Sequence, residues 1–302
     1  PFSSELHRRD LETIGLTMAE SLRVATKLRR RLFREKISEV STQFIARATY
    51  ELLMEMRALG PAVANRWLVW RDFLHSGRPL VLVIGGTTGC GKSTIATALA
   101  HRLDIVRMQS TDLLREIIRS VLASEQYPEL HTSSYDAWRA LAEGDDDLVL
   151  PADGETVAMG YRAQSRLVSP ATEAVIERAL RERVSIIVEG VHAHPRLAGK
   201  IADSDAVVLH IMLAILKKGK LKQRIKGRAT QAVQRRAQEY LDHFDVIWQL
   251  QSYLLAEADD TNTPIIVNGD REEVVQEIMR TLVDQLSGSR TPSPDKVFAE
   301  SS

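Results

Sequence analysis

Residues 79–102 read Pro79-Leu-Val-Leu-Val-Ile-Gly-Gly-Thr-Thr-Gly-Cys-Gly-Lys-Ser-Thr-Ile-Ala-Thr-Ala-Leu-Ala-His-Arg102. The apolar run 80–84 is β-branched enough to be a buried strand. A glycine-rich turn follows, and then Ile95, Leu99 and Leu103 repeat at the period of a helix. Gly86, Gly91, Lys92 and Ser93 match G-x-x-x-x-G-K-[ST], the phosphate-binding loop, in the strand-then-helix context that gives the pattern its meaning. Glycines let the backbone curl so that its N–H groups converge on an anion, and the helix N-terminus adds its partial positive charge. The stretch Gly86, Thr87, Thr88, Gly89, Cys90, Gly91, Lys92, Ser93 and Thr94 is therefore expected to hold a nucleoside triphosphate. Lys92 reaches the β- and γ-phosphates, and the Ser93 hydroxyl is a ligand for Mg²⁺. Cys90, between two glycines, is expected at the rim of the loop, reactive as a thiolate, with a side chain packed against the sheet and inert as the equal alternative.

The whole chain has 302 residues, 44% of them apolar, and 40 basic residues balance 40 acidic ones. That supports a substantial core and gives no general nucleic-acid or membrane field. No apolar run reaches the ~20 residues of a membrane-spanning helix, and no secretory leader pattern opens the sequence. The single cysteine excludes an internal disulfide framework. These features point to the cytoplasm and leave a homo-oligomer compatible with the reading. The sequence opens on Pro1 rather than methionine, which suggests a trimmed start.

Residues 1–75 carry helical periodicity and no strand pattern. Helices are expected around Leu6 to Leu16 with Gly15 as a stop, over 18–32, over 41–56 with Ser41 as N-cap, and over 63–74 after a break at Gly60-Pro61. From 76 to 286 the pattern alternates strand and helix, predicting an α/β fold with a parallel sheet flanked by helices. Second to fifth strands are expected at 105–108, 184–192, 206–213 and 263–267. A helix over 157–166 is expected to end before a second one beginning at Pro170, and another helix spans 240–258. The last helix runs to 286, and the Ser/Pro-rich residues 287–302 read as a disordered tail.

Several residues beyond the loop carry chemistry. Asp112 follows a strand, where open α/β sheets place ligands; a carboxylate there orients an acceptor hydroxyl or a magnesium-bound water. Ser110-Thr-Asp112 before a helix also reads as a cap, and the two roles are compatible. Glu189 ends the apolar run 184–188 and fits a carboxylate that organises Mg²⁺. His192 and His194 alternate like a metal pair without a third ligand and read as polar loop residues. Residues 217–236 hold nine basic side chains and no acidic one. After the fourth strand of such a sheet, this suggests a lid whose guanidinium groups, Arg224 on the nucleotide and Arg228 on the transferring phosphoryl group, spread charge. A solvated face or a nucleic-acid contact is the plainer alternative.

The stretches Gly85-Gly-Thr-Thr-Gly-Cys-Gly-Lys-Ser-Thr94, Ser110-Thr-Asp-Leu-Leu-Arg-Glu116, Ser133-Ser-Tyr-Asp-Ala-Trp138 and Val188-Glu-Gly-Val-His192 occur in this order, as does Arg235 to Phe244 ending Tyr-Leu-Asp-His-Phe. Together they resemble the 2-phosphoglycerate kinase family over nearly the whole chain, with Cys90 where that family is expected to have Val. The front, with Pro1-Phe-Ser3 and the Gly15 turn, is similar to an ATP-cone whose first hairpin would lie before Pro1. The resemblance implies transfer of the γ-phosphoryl group of ATP to the 3-hydroxyl of 2-phosphoglycerate. The cofactors would be ATP and Mg²⁺, and the partner a small phosphorylated hydroxy acid rather than nucleic acid or membrane. It further implies catalytic roles for Lys92, Asp112, Glu189 and Arg228, and substrate binding by Arg115, Arg119, Tyr135 and Trp138. A kinase for another hydroxy acid or polyol, such as one forming 2-phospholactate, is the nearest alternative. A nucleotide-driven switch or ATPase using the basic segment for docking is the more distant one.

Overall fold

The computed structural model describes residues 2–36, 40–141, 153–201, 205–227, 234–288 and 292–299. Arg228 lies outside them. The chain forms two compact units, Pro1–Arg78 with Arg271–Ser302, and Pro79–Asp270.

The first unit is helical. Helix α1, Ser4–Glu12, is capped by Ser3; α2, Met18–Arg34, opens on a capping box between Thr17 and Glu20; α3, Thr42–Glu55, takes Ser41 as its N-cap. Each cap oxygen accepts an N–H that would otherwise have no partner. Gly60-Pro61 does separate two helices, but α4, Gly60–Ser76, begins at the glycine. Proline's fixed φ and missing N–H suit the first helical turn. Further along the chain, α11, Arg271–Ser287, buries Val274, Val275, Ile278, Met279, Leu282 and Val283. It belongs to this unit, and the second unit ends at Asp270, ahead of the expected 286. Gly15, at φ +79°, allows the fit: a Cβ there would lie 2.3 Å from Arg280 Cγ. Nor are the described residues of the expected tail without structure. Helix α12, Pro294–Val297, has buried Val297 and is followed by buried Phe298, whose ring lies 5.7 Å from that of Tyr50; Asp295 pairs with Arg47 at 2.8 Å. Two buried apolar side chains are enough to dock so short a segment.

In the second unit five parallel strands run in the order β2-β3-β1-β4-β5. They are β1 Leu80–Gly85, β2 Arg107–Ser110, β3 Ile186–Glu189, β4 Val207–Ala214 and β5 Ile265–Val267. Central β1 is buried along its whole length, as a parallel strand covered on both faces must be. Helix α5, Lys92–Leu103, follows the phosphate loop, and α6, Thr111–Val121, follows β2. The order reverses around β1, the topological switch point at which such sheets place ligands.

Four elements of this unit depart most from the expected boundaries; among them, β3 stops at Glu189 rather than at 192, where Gly190 turns at φ +151°. Strand β2 starts two residues late because the Ile105 N–H bonds to the Ala100 carbonyl at the end of α5, keeping Ile105 out of the ladder. Helix α7, Gly154–Arg181, runs through Pro170. Proline removes one N–H there, but Val157, Tyr161, Gln164, Val168, Thr172, Ile176 and Ala179 form a continuous buried row on both sides of it, and that burial outweighs one lost bond. The expected helix over 240–258 is two, α9 Gln234–Asp242 and α10 Phe244–Asp260, meeting at His243. The first part of the basic stretch is α8, Lys218–Gly227.

Candidate active site

At the carboxyl end of β1 the chain turns through Gly86 at φ +132°, Gly89 at +86° and Gly91 at +90°, conformations that L side chains rarely adopt. The turn closes on Lys92, the first residue of α5. Its side chain is nine-tenths buried, and its Nζ donates to the Thr87 carbonyl at 2.9 Å. The ammonium thus stands inside the loop, held by a carbonyl that a phosphate oxygen can replace. The Cys90 side chain is wholly buried beneath the loop, the packed one of its two expected placements and not the rim. A Cβ on Gly86 would come 2.8 Å from Cys90 Sγ, so the glycine makes the space that the sulfur fills.

The loop is braced from outside. Asn268 Nδ2 donates to the Cys90 carbonyl at 2.6 Å, and Arg224 donates to the carbonyls of Asn268 and Gly269 at 3.2 and 2.8 Å. Leu221 and Ile225 of α8 are fully buried and lie where a Gly89 Cβ would meet them, at 3.0 and 2.9 Å. This part of the expected lid is therefore seated on the phosphate loop, with Arg224 as its anchor. Among the described residues, Asn268 is the loop contact that sequence reasoning missed. Its only signal was its place directly after the fifth strand.

Glu189 ends β3 and is largely buried, and Ser93 Oγ donates to its Oε1 at 3.0 Å. Hydroxyl and carboxylate oxygens, side by side at the start of a helix, suit a hard divalent cation. Among the described residues no group of three or more His, Cys, Asp or Glu could hold a metal on its own. This pair fits Mg²⁺ in the manner of sites that use one carboxylate together with phosphate and water.

A second group of polar side chains comes from α6 and the loop after β3. Ser110 is the N-cap of α6, its Oγ accepting the Asp112 N–H at 3.2 Å. That leaves the Asp112 carboxylate uncommitted to capping and 64% exposed. Gly190, at φ +151°, brings β3's exit hard against α6, for any Cβ there would overlap Thr111 Oγ1. His192 then donates its backbone N–H to the same Thr111 Oγ1 at 3.4 Å. Its imidazole is completely enclosed, with Nδ1 3.9 Å from Asp112 Oδ1 and Nε2 2.8 Å from Gln164 Oε1. Burial pushes its pKa down to about 4, with Arg115 and Lys92 acting in the same direction and Asp112 against it. His192 and His194 lie beside Tyr161, their rings stacked on it at 6.1 and 6.0 Å, and do not form a metal pair.

Arg115 and Arg119 share Glu116 at 3.4 and 2.7 Å, and Arg115 also donates to the Thr132 carbonyl. Tyr135 is buried, and with half-buried Trp138 it belongs to the cluster containing Val157, Tyr161, Ile247 and Leu250. Their surroundings are those of core side chains rather than of a substrate surface. No helix of the described residues is long and apolar enough to cross a membrane.

A family model described as Zeta toxin matches residues 66–142, the segment spanning the phosphate loop, Asp112 and Tyr135. Over 94% of this chain and 90% of its own length, a 2-phosphoglycerate kinase from Pyrococcus furiosus is 32% identical. Another, from Methanopyrus kandleri, is 33% identical over 95% of this chain and 85% of its length. Among solved structures, a gluconokinase from Sinorhizobium meliloti 1021 superposes with a TM-score of 0.39 at 16% identity, covering 70% of this chain and 96% of that one; so loose a likeness adds nothing to the argument. Identity at this level across almost the full length of both chains means that this protein belongs to the 2-phosphoglycerate kinase family, phosphotransferases built on an ATP-using phosphate loop.

Proposed function

We propose that the protein transfers the γ-phosphoryl group of ATP to the 3-hydroxyl of 2-phosphoglycerate, giving 2,3-bisphosphoglycerate and ADP. The observation that carries this reading is the Asp112 carboxylate, free of capping duty and exposed at the carboxyl edge of the sheet that also presents the phosphate loop. The names of the full-length relatives support the choice of acceptor.

The loop amides receive the β- and γ-phosphates, and Lys92 exchanges the Thr87 carbonyl for phosphate oxygens. Ser93 and Glu189 are the residues that would hold Mg²⁺, which supplies neutralising charge for the phosphates. Asp112 orients the acceptor hydroxyl and takes its proton as the oxygen attacks the γ-phosphorus. The bond from γ-phosphorus to the bridging oxygen breaks, and its electron pair leaves with ADP. Catalysis of this kind is mostly positioning and electrostatics. A [γ-³²P]ATP transfer assay over 2-phosphoglycerate, 3-phosphoglycerate, glycerate, lactate and gluconate tests it. Label should enter 2-phosphoglycerate with the highest kcat/KM and vanish with EDTA. Preferential labelling of lactate or gluconate would move the acceptor to another hydroxy acid and refute the assignment.

A further inference from the structure

His192 is enclosed at the acceptor side, yet the reaction as described does not use it. Its hydrogen bonds fix its protonation pattern. Gln164 Nε2 donates to two carbonyls, those of Glu129 and, at 3.2 Å, of Thr132. Both are acceptors only, so the amide NH₂ must face them and Oε1 must face His192. A carbonyl-type oxygen 2.8 Å from His192 Nε2 requires that Nε2 carry the proton. Nδ1 is then a bare lone pair, buried and without a hydrogen-bond partner. Such an acceptor is costly to leave unpaired, and the Asp112 carboxylate stands 3.9 Å from it. Two acceptors facing each other have nothing to share until a proton arrives.

We infer that His192 is a positioning residue that acts through Asp112: its Nδ1 accepts a hydrogen bond from the carboxylic acid formed when Asp112 takes the acceptor's proton. The inference rests on the role of Asp112 proposed above. During transfer the hydroxyl O–H bond breaks, the proton moves to an Asp112 oxygen, and the new O–H points at Nδ1. Closing 3.9 Å to a hydrogen bond needs a shift of about 1 Å, which an exposed aspartate side chain makes by rotation. The imidazole stays neutral throughout, so no charge has to enter the buried site. The charged and titratable groups facing it are Asp112 and Arg115 from α6, Lys92 from α5 and Tyr161 from α7. Thr111 holds the loop so that the ring cannot slide away from Asp112. Nδ1 therefore waits for a partner that exists only after proton transfer has begun, the condition under which an interaction lowers the barrier instead of tightening substrate.

Two substitutions separate the ring nitrogens. His192→Gln keeps an N–H where Nε2 donates to Gln164 but has no acceptor at Nδ1, whereas His192→Asn keeps an oxygen near the place of Nδ1. Using whichever acceptor the transfer assay identifies, kcat should fall by ~10–100-fold in His192→Gln, a share of the ~10²–10⁴-fold typical of acid–base catalysis. KM for ATP should stay within about twofold, and His192→Asn should recover a large part of kcat. In an Asp112→Asn background, His192→Gln should cost nothing further, because the group it serves is gone. A full additive loss, or a wild-type kcat in His192→Gln, overturns the inference. One readout is independent of any acceptor: ¹H–¹⁵N spectra of the wild-type imidazole should report Nε2 protonated and Nδ1 bare at neutral pH, and the opposite tautomer refutes the proposal whatever the substrate proves to be.

Discussion

Replacing Lys92 by methionine keeps most of the stem and removes only the ammonium. In the free protein that ammonium makes one charge-assisted bond, to the Thr87 carbonyl at 2.9 Å, from a side chain nine-tenths buried. Losing such a bond costs ~1.5–3 kcal/mol, but the desolvation of a buried cation disappears with it, so net stability should change by no more than about 1 kcal/mol. The effect on catalysis does not cancel. In the transition state of the proposed reaction Lys92 would face phosphoryl oxygens whose charge is being redistributed, and a preorganised donor there contributes ~2.7–4 kcal/mol, or ~10²–10³ in kcat. The assay is initial-rate transfer from [γ-³²P]ATP at saturating acceptor, with thermal unfolding and nucleotide-analogue binding measured on the same preparations. A Lys92→Met protein that melts within a few degrees of the wild type and turns over within tenfold of it would show that the loop does not work through this lysine.

Cys90 gives an expectation opposite to that of a loop-rim thiol. With the side chain wholly buried under Gly86, an alkylating reagent should modify the native protein only at background level, with or without Mg·ATP, and modify it fully in denaturant; rapid native labelling seen by mass spectrometry would contradict the packing. Acid should destabilise both units. Burial holds His7 and His210 at a pKa of about 4, below the ordinary value of 6.5, so the unfolded chain binds more protons between those limits, and stability complete above pH ~6.5 is lost as pH falls toward 4. His210→Gln, which keeps the N–H donated to the Ala193 carbonyl at 3.3 Å, should flatten the urea midpoint against pH over that window; an unchanged slope would mean that His210 already carries its proton in the fold.

Legibility followed the range of the physics. The phosphate loop is readable because strand, turn and helix announce themselves over two dozen consecutive residues; the place of Glu189 is readable because it ends an apolar run, and that of Asp112 because it follows a strand and opens a helix. What was hidden is what depends on partners distant in sequence. Asn268 braces the loop from a position 178 residues beyond Cys90, and no periodicity marks a side chain that serves a carbonyl. Gln164 looks like any polar residue on a helix until Glu129 and Thr132 orient it. His192 read as a polar loop residue because its burial is created by Tyr161 and Thr111, neither of them adjacent in sequence. The path of α7 through Pro170 was missed for a related reason: proline's local penalty is visible in the sequence, whereas the buried row that outweighs it is visible only in the fold.

The helical unit is interrupted in the chain. Its first four helices end by Arg78, and α11, which completes its core, begins at Arg271. Between them lie residues 79–270, so 270 − 79 + 1 = 192 residues must be made before the missing piece exists. At ~5–20 residues per second on a ribosome, α1 to α4 wait about 10–40 s with one side of their core open, while the kinase unit has its whole sequence in one continuous run and folds as soon as it emerges. A premature stop after residue 270 would thus leave a catalytic sheet complete in sequence, attached to four helices that lack the strip of apolar side chains from Val274 to Val283.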